Sequence, residues 1–436
     1  MATQAQARWI STTQQRPWRE SWARPAGRGG NLTFSGAEHQ TMTAFGGCFN
    51  ELGWIALKAL PPARRRQVLA QLFDPTNGCR FSLCRLPIGA SDYAAEWYSH
   101  NEHDGDFAMR QFSIARDRDY LIPYIRQAQA LRPDLRLFAS PWSPPTWMKR
   151  PKAYNHGTFV MAQKYLKAYA VYFRKFVEAY RKEGLTINQL HPQNEPLADQ
   201  KFPSCLWTGE QMATFIGGYL GPELKRAGLD TEVWLGTLNT DDFNGWPRTV
   251  LSHPTARRYV RGVGLQWAGK GMVQRLAEAY PAVSLMQTEN ECGDGQNSWP
   301  YAEYIFELMR HYLDNGVSAY IYWNMILAPG GRSTWGWKQN AMITVDPATG
   351  KVTLNPEFYV MKHVTRFVDP GAVRLGLAGE WTGNAVAFRN PNGRRVVVAH
   401  NPFATPAALA IAGGCRATLP PHSFNTFVLP PGSRPG

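Results

Sequence analysis

Long hydrophobic runs are missing from this 436-residue chain. None approaches the length of about 18 residues that crosses a bilayer as a helix, which excludes an integral helical membrane protein. Cysteine is scarce. Six residues (Cys48, Cys79, Cys84, Cys205, Cys292, Cys415) are too few for a disulfide scaffold, and none forms a CxxC or a Cys/His cluster with metal spacing. A single Cys79–Cys84 bridge stays open, with buried thiols the alternative. The ten His residues include no His-x-His pair, so no metal is expected. No GxGxxG or GxxxxGK[ST] turn is present to cradle a phosphate, and no Gly-x-Ser-x-Gly elbow to present a serine nucleophile. Acidic residues are the minority, 33 Asp+Glu against 47 Lys+Arg, for a net charge of +14. That excess favours anionic neighbours but says nothing of fold. The densest basic run, Arg64-Arg65-Arg66, reads as a solvated helix start, and no nucleic-acid partner is expected. The N-terminal eight residues hold no apolar segment of the secretory kind. Compartment stays open, with a secreted or periplasmic location favoured if a leader has been removed.

Apolar residues, at 44%, suffice for a large core, and charged residues are only 18%. Sixteen Trp, 18 Tyr and 21 Phe supply core volume and also flat platforms for the C–H faces of sugars. Short apolar runs alternate with long amphipathic ones, the pattern of βα units on a parallel sheet. Helices are expected over residues 161–182, 209–224 and 301–315. In the first, Tyr165, Tyr169, Tyr172, Phe173, Phe176 and Tyr180 recur at helical spacing. The second opens on a Thr208/Gln211 capping box and is followed by Gly228. Strands are expected over 43–48, 81–87, 136–140, 186–190, 232–238, 263–267, 283–288 and 317–323. Eight strands in about 280 residues suit a (β/α)8 TIM barrel, with the site on the loops after the strand ends. A doubly wound open sheet competes, but usually needs fewer strands and a Gly-rich turn.

Beyond residue 355 the texture becomes β. Residues 381–388 and 395–400 flank Pro391-Asn392-Gly393, a hairpin signal, and short strands follow at 407–411 and 424–429. The expected division is an N-terminal segment 1–42 pairing with a side β-domain, a catalytic barrel 43–350 and a C-terminal β-domain 351–436. The last seven residues, 430–436, are expected to fray.

Chemistry concentrates after two strands. The fourth ends in His191-Pro192-Gln193-Asn194-Glu195-Pro196 and the seventh in Gln287-Thr288-Glu289-Asn290-Glu291-Cys292. The 94 residues from Glu195 to Glu289 equal three βα units of roughly 31 residues, so both carboxylates belong at the same mouth. Two facing carboxylates are what acetal hydrolysis requires: one protonated to serve the leaving oxygen, one ionised to attack carbon or activate water. Each alone reads equally well as a loop carboxylate paired with Arg. Together, at these strand ends, they point to a glycosidase.

Six segments, in order, carry a resemblance: Phe45-Gly46-Gly47, Arg85-Leu86-Pro87-Ile88-Gly89, the run from Ala139 to Pro145, Gln193-Asn194-Glu195-Pro196, Thr288-Glu289 and Tyr322-Trp323-Asn324. The chain resembles glycoside hydrolase family 30, which includes glucosylceramidases, endo-β-1,6-glucanases and certain xylanases. Phe358-Tyr359 and the run from Val368 to Val373 resemble its junction with the β-domain. The resemblance implies a (β/α)8 barrel with a side β-structure, a small β-sandwich, built from both termini. It implies a retaining double displacement with Glu195 as acid/base and Glu289 as nucleophile. Asn194 would bond the sugar 2-hydroxyl, and Arg85 would hold the nucleophile ionised. Asp92, Trp142 and Trp323 match sugar-contacting positions, with Trp147, Trp335 and Trp337 as further candidates. Animal-type glucosylceramidases carry His-x-Tyr after strand six; this chain has Gln266-Trp267, which bears on substrate preference. Glu291 is a second acidic candidate, but the Thr288-Glu289 match selects Glu289 and leaves Glu291 to pair with a rim Arg or Lys. The expected substrate is a β-glucoside, in a β-1,6-glucan or a glucosylceramide-like glycolipid, cleaved without cofactor by a monomer. A xylan- or galactan-directed member and a catalytically silent carbohydrate-binding protein are the alternatives; a binding module would need neither Glu195 nor Glu289.

Overall fold

A computed structural model describes residues 6–431. Eight parallel strands, Ala44–Cys48, Leu83–Pro87, Arg136–Ser140, Ile187–Leu190, Glu232–Leu238, Val260–Gln266, Ser284–Glu289 and Ala319–Asn324, close a barrel in sequence order. The ring is completed where Ala319 and Tyr320 pair with Ala44 and Phe45. All eight expected strands are present, and the TIM barrel replaces the open sheet. The sequence had set the sixth strand's start three residues late, because Val260, Arg261 and Gly262 carry little apolar signal. Helices cover the outside, so the strands are buried on both faces and read as short continuous apolar runs.

Close packing explains the Phe45-Gly46-Gly47 signature: a Cβ on Gly46 would fall 1.6 Å from the Leu83 carbonyl oxygen. Inside the barrel, Phe138, Trp234, Met286 and Ile321 form an apolar layer. His191 stacks on Trp234 above it, ring centroids 5.7 Å apart. Beyond His191 the interior becomes polar, towards the strand C-termini where barrel sites form.

The three expected helices are found as Gln163–Lys182, the continuous run Gly209–Phe215, Ile216–Leu220 and Gly221–Arg226, and Trp299–Asp314. Thr208 and Gln211 do form the capping box. The third helix starts two residues early because Ser298 caps it and Pro300 sits in its first turn. Arg64 and Arg66 lie on the exposed face of the helix Pro62–Phe73.

The side structure is a nine-stranded antiparallel sheet in the order Ala407–Ala410, Cys415–Leu419, Arg19–Pro25, Ala7–Thr12, Ser423–Leu429, Arg395–Asn401, Ala385–Arg389, Val373–Ala378 and Thr33–Thr41. Its ends approach each other at a Leu32–Ile411 bridge. One face encloses a separate core with Phe427, Val397 and Leu409, while Ile10, Val398 and Phe424 belong to the barrel's core. The N-terminal segment joins this sheet as expected, through the three strands Ala7–Thr12, Arg19–Pro25 and Thr33–Thr41, and Val373–Ala378 is a strand the sequence reading missed. Trp381 precedes its strand in a turn.

All six cysteines are buried and free, so Cys79 and Cys84 are unbridged. Among the described residues no helix is long and apolar enough to cross a membrane, and no cluster of metal-ligating side chains occurs. The expected fraying at 430–436 lies outside the described residues from 432 onward.

Candidate active site

Arg85 is the anchor of the barrel mouth. It sits on the second strand and is fully buried. A buried guanidinium needs its five donors satisfied, and the neighbouring strand ends supply the acceptors. Nε and Nη2 donate to Ser140 Oγ at 3.1 and 2.8 Å, and Nη2 donates to Asn194 Oδ1 at 2.6 Å. Nη1 donates to Glu289 Oε2 at 2.8 Å and to Gln266 Oε1 at 3.3 Å. Its flat face lies 4.5 Å from the Trp142 ring centroid and 5.5 Å from that of Trp323.

Gln266, at the end of the sixth strand, is oriented by what its carbonyl accepts. Thr288 Oγ1 donates to Oε1 at 2.8 Å, which turns the amide nitrogen to the carboxylates. That Nε2 donates to Glu195 Oε1 at 3.0 Å and to Glu289 Oε2 at 3.1 Å. Glu289 Oε1 accepts from Trp267 Nε1 at 3.3 Å and from the Cys292 thiol at 3.8 Å. Glu195 and Trp267 hold positive φ, 46° and 50°. The left-handed region is costly for side-chain-bearing residues, and such strain concentrates at functional sites.

Three carboxylates share this volume with one guanidinium. Burial pushes the Glu195 carboxyl up, the Glu289 charge pushes it further, and it reaches about 8. Glu289 is also raised by burial but is held down by Arg85, Trp267 and Gln266. Asp92 is raised well above the usual carboxylate range by burial and by the two Glu charges; its Oδ1 has no hydrogen-bond partner. Of Glu195 and Glu289, only Glu289 is touched by the Arg85 guanidinium, which favours its ionised form.

The three carboxylates line a pocket of about 360 Å³. Asp92, Trp142, Asn194, Glu195, Trp267, Glu289 and Trp337 all line it. Arg85 and Gln266 lie behind its wall, bonded to the carboxylates. Trp323 is fully buried against Trp142, centroids 5.2 Å apart, rather than in the lining. Trp335 stands outside the lining, packed 4.7 Å from Trp97. Trp147 is core, its Nε1 donating to the Asn101 carbonyl at 3.0 Å. Glu291 turns away to pair with Lys270 and accept from Tyr304 Oη at 2.6 Å.

Sequence reasoning missed Leu197, Gln200, Phe202, Asn239, Cys292 and Gln339 in the lining. Leu197 and Cys292 follow the two Glu by two and three residues, so their placement was available from spacing. Phe202 and Gln339 arrive on long loops, which carry no periodic signal.

Comparison with known proteins agrees with this geometry. Residues 42–368 match the glycosyl hydrolase family 30 TIM-barrel domain, and 371–427 match the family 30 beta sandwich domain. A putative glucosylceramidase 1 of Caenorhabditis elegans is 30% identical over 393 residues, 84% of this chain and 75% of that protein. An endo-1,6-beta-D-glucanase of Neurospora crassa is also 30% identical, over 84% of this chain and 79% of that one. The crystal structure of SrfJ from Salmonella typhimurium superposes with a TM-score of 0.89 at 26% identity, covering 97% of this chain and 99% of that one. With a barrel and a β-structure that both match, and with paired carboxylates at the barrel mouth, this chain is a glycoside hydrolase belonging to glycosyl hydrolase family 30.

Proposed function

We propose that the protein is a retaining β-glycosidase acting on β-linked glucose, in a β-1,6-glucan or a glucosylceramide-like glycolipid. The observation that carries the mechanism is the Gln266 bridge. One nitrogen touches Glu195 Oε1 at 3.0 Å and Glu289 Oε2 at 3.1 Å, so those two oxygens lie no more than about 6 Å apart. Inverting enzymes separate their carboxyls by roughly 6.5–9.5 Å to admit water, whereas retaining enzymes need about 5–5.5 Å.

In the first step Glu289 attacks the anomeric carbon while the protonated Glu195 gives its proton to the glycosidic oxygen. The C–O bond breaks, the alcohol leaves, and a glycosyl ester forms on Glu289. Esterification removes the Glu289 charge, one of the two causes that hold the Glu195 pKa up. Glu195 then stays ionised, takes a proton from water, and that water displaces Glu289 with net retention. Asn194 commits its Oδ1 to Arg85 and Thr237 at 2.6 and 3.1 Å, which leaves its amide nitrogen to donate to the 2-hydroxyl. Asp92 meets the outer hydroxyls of the same ring, Trp142 gives it an apolar wall, and Trp267 and Trp337 flank the aglycone.

Incubation with β-1,6-glucan, gentiobiose, glucosylceramide, glucuronoxylan and an aryl β-glucoside tests the reading. Release of glucose or gentio-oligosaccharides, β-configured at early time, is expected. Cleavage of xylan alone moves the substrate, and binding without turnover on every member sinks the enzyme.

A further inference from the structure

The strand Arg19–Pro25 is paired along Arg19–Ala23 with Ala7–Thr12 on one side. On its other side only Arg24 and Pro25 meet a partner, Arg416 and Cys415. Beyond that point the strand Cys415–Leu419 diverges, and the two unpaired edges bound an open groove of about 570 Å³ in the side sheet. Trp22, 63% exposed, and the half-buried Trp9 line it together with Ala408 and Ala410. None of its lining residues lines the active-site pocket.

The groove's charge is unusual. Arg24 and Arg416 are direct cross-strand partners, which sets their Cα atoms about 4.5–5.5 Å apart. Like charges placed directly opposite destabilise a sheet. Among the described residues neither guanidinium has an ion pair, although Arg8 on the adjoining strand pairs with Glu20 and Arg389 with Glu38 across the sheet. The fold therefore keeps two uncompensated guanidiniums side by side, in a groove lined also by an exposed indole and by alanine methyl groups. An anion with two oxygens satisfies both forks, and an indole beside it offers a flat face to an apolar ring surface. A nucleic acid would demand a track of cations along a backbone. Here the cations are confined to one pair, beside an exposed indole.

From this juxtaposition we propose that the groove between Arg19–Pro25 and Cys415–Leu419 binds a carboxylate-bearing glycan, the Arg24–Arg416 pair taking the uronate carboxyl and Trp22 the face of an adjacent sugar. The site tethers the hydrolase to an acidic polysaccharide while the barrel works on its own substrate. It is independent of the catalytic pair.

Native gel electrophoresis of the full chain through gels containing polygalacturonate tests this. Retardation is expected for the wild type and equally for Glu289→Gln, and it weakens with salt because exposed charges are screened. The Arg24→Ala/Arg416→Ala double variant should bind at least about tenfold more weakly, and Trp22→Ala several-fold. All three positions are exposed, and melting followed by circular dichroism controls for fold. No retardation of the wild type, or equal retardation of the double variant, overturns the proposal. So does tighter arginine-dependent binding of oligodeoxythymidylate, which reassigns the groove to nucleic acid. Equal binding of a neutral β-glucan that survives the arginine substitutions also overturns it.

Discussion

Arg85 Nη1 donates to Glu289 Oε2 at 2.8 Å, with the guanidinium fully out of solvent and the carboxylate nearly so. The remaining donors of Arg85 reach Ser140, Asn194 and Gln266, so one side chain fixes groups from four other strand ends. Removing one partner of a buried pair leaves the other charged and unsatisfied, typically at a cost of about 3–5 kcal/mol. Arg85→Ala is expected to lower Tm and to reduce kcat/KM by about 10²–10³ or more, the range for losing a preorganised charge partner. Arg85→Lys keeps the charge but not the fork, and should recover stability more than rate. The sign for pH is fixed: without the guanidinium the Glu289 carboxyl rises, so the acidic limb of the rate profile moves to higher pH. Paired melting and kcat/KM profiles check all three statements.

Gln266 also holds both carboxyls down by donating to them. Gln266→Leu removes that donor, and both groups should titrate higher. The rate profile then shifts to higher pH on both limbs, with a fall in kcat of about 10–10². A profile that only drops, without moving, would assign Gln266 to packing alone.

In the proposed mechanism Glu195 carries a proton in the free enzyme, and burial together with the Glu289 charge pushes its carboxyl up to about 8. The basic limb of kcat/KM should fall in that region and vanish in Glu195→Ala. The same variant should lose several orders of magnitude on an alkyl glucoside and far less on a dinitrophenyl glucoside, whose leaving group needs no proton. Added azide should restore turnover by entering the space the carboxyl vacates. Kinetics with a leaving-group series checks this.

Glu357 lies outside the site and bears on stability. It is fully buried, its Oε1 accepts from Asn340 Nδ2 at 2.6 Å, and its Oε2 has no partner. Burial raises it to about 7. Between the unfolded value near 4.5 and about 7 the folded state binds more protons, so this group's contribution to stability is complete at low pH and declines as pH rises through that window. Glu357→Gln should flatten the dependence and gain about 1–3 kcal/mol over wild type at pH 8, with little gain at pH 5. Urea unfolding at the two pH values measures it.

The barrel was legible because a strand covered on both faces writes a continuous apolar run, and eight such runs at βα spacing admit few other folds. Glu195 and Glu289 were legible as candidates for a related reason: Glu289 ends its run and Glu195 follows its own by five residues. The strands Ala7–Thr12 and Arg19–Pro25 were not. Arg19-Glu20-Ser21-Trp22 is mostly exposed and writes no alternation; it becomes a strand by pairing with Ala7–Thr12. The difference between Trp142, which lines the pocket, and Trp323, buried behind it, is likewise invisible in sequence. Both follow strand ends, and only the packing around Arg85 decides which ring faces the cavity. Trp335 and Trp337 hang on a loop whose course is set by Gly330, Gly331 and Gly336, all at positive φ.

The most direct test of the account is to trap the glycosyl-enzyme. Incubation with a 2-deoxy-2-fluoro-β-glucoside bearing a good leaving group slows both steps, and peptide mass spectrometry locates the ester. The account predicts one fluoroglucosyl group per chain, on Glu289, and none in Glu289→Gln. A label on Glu291, or prompt release of an α-configured sugar without any covalent adduct, would contradict it.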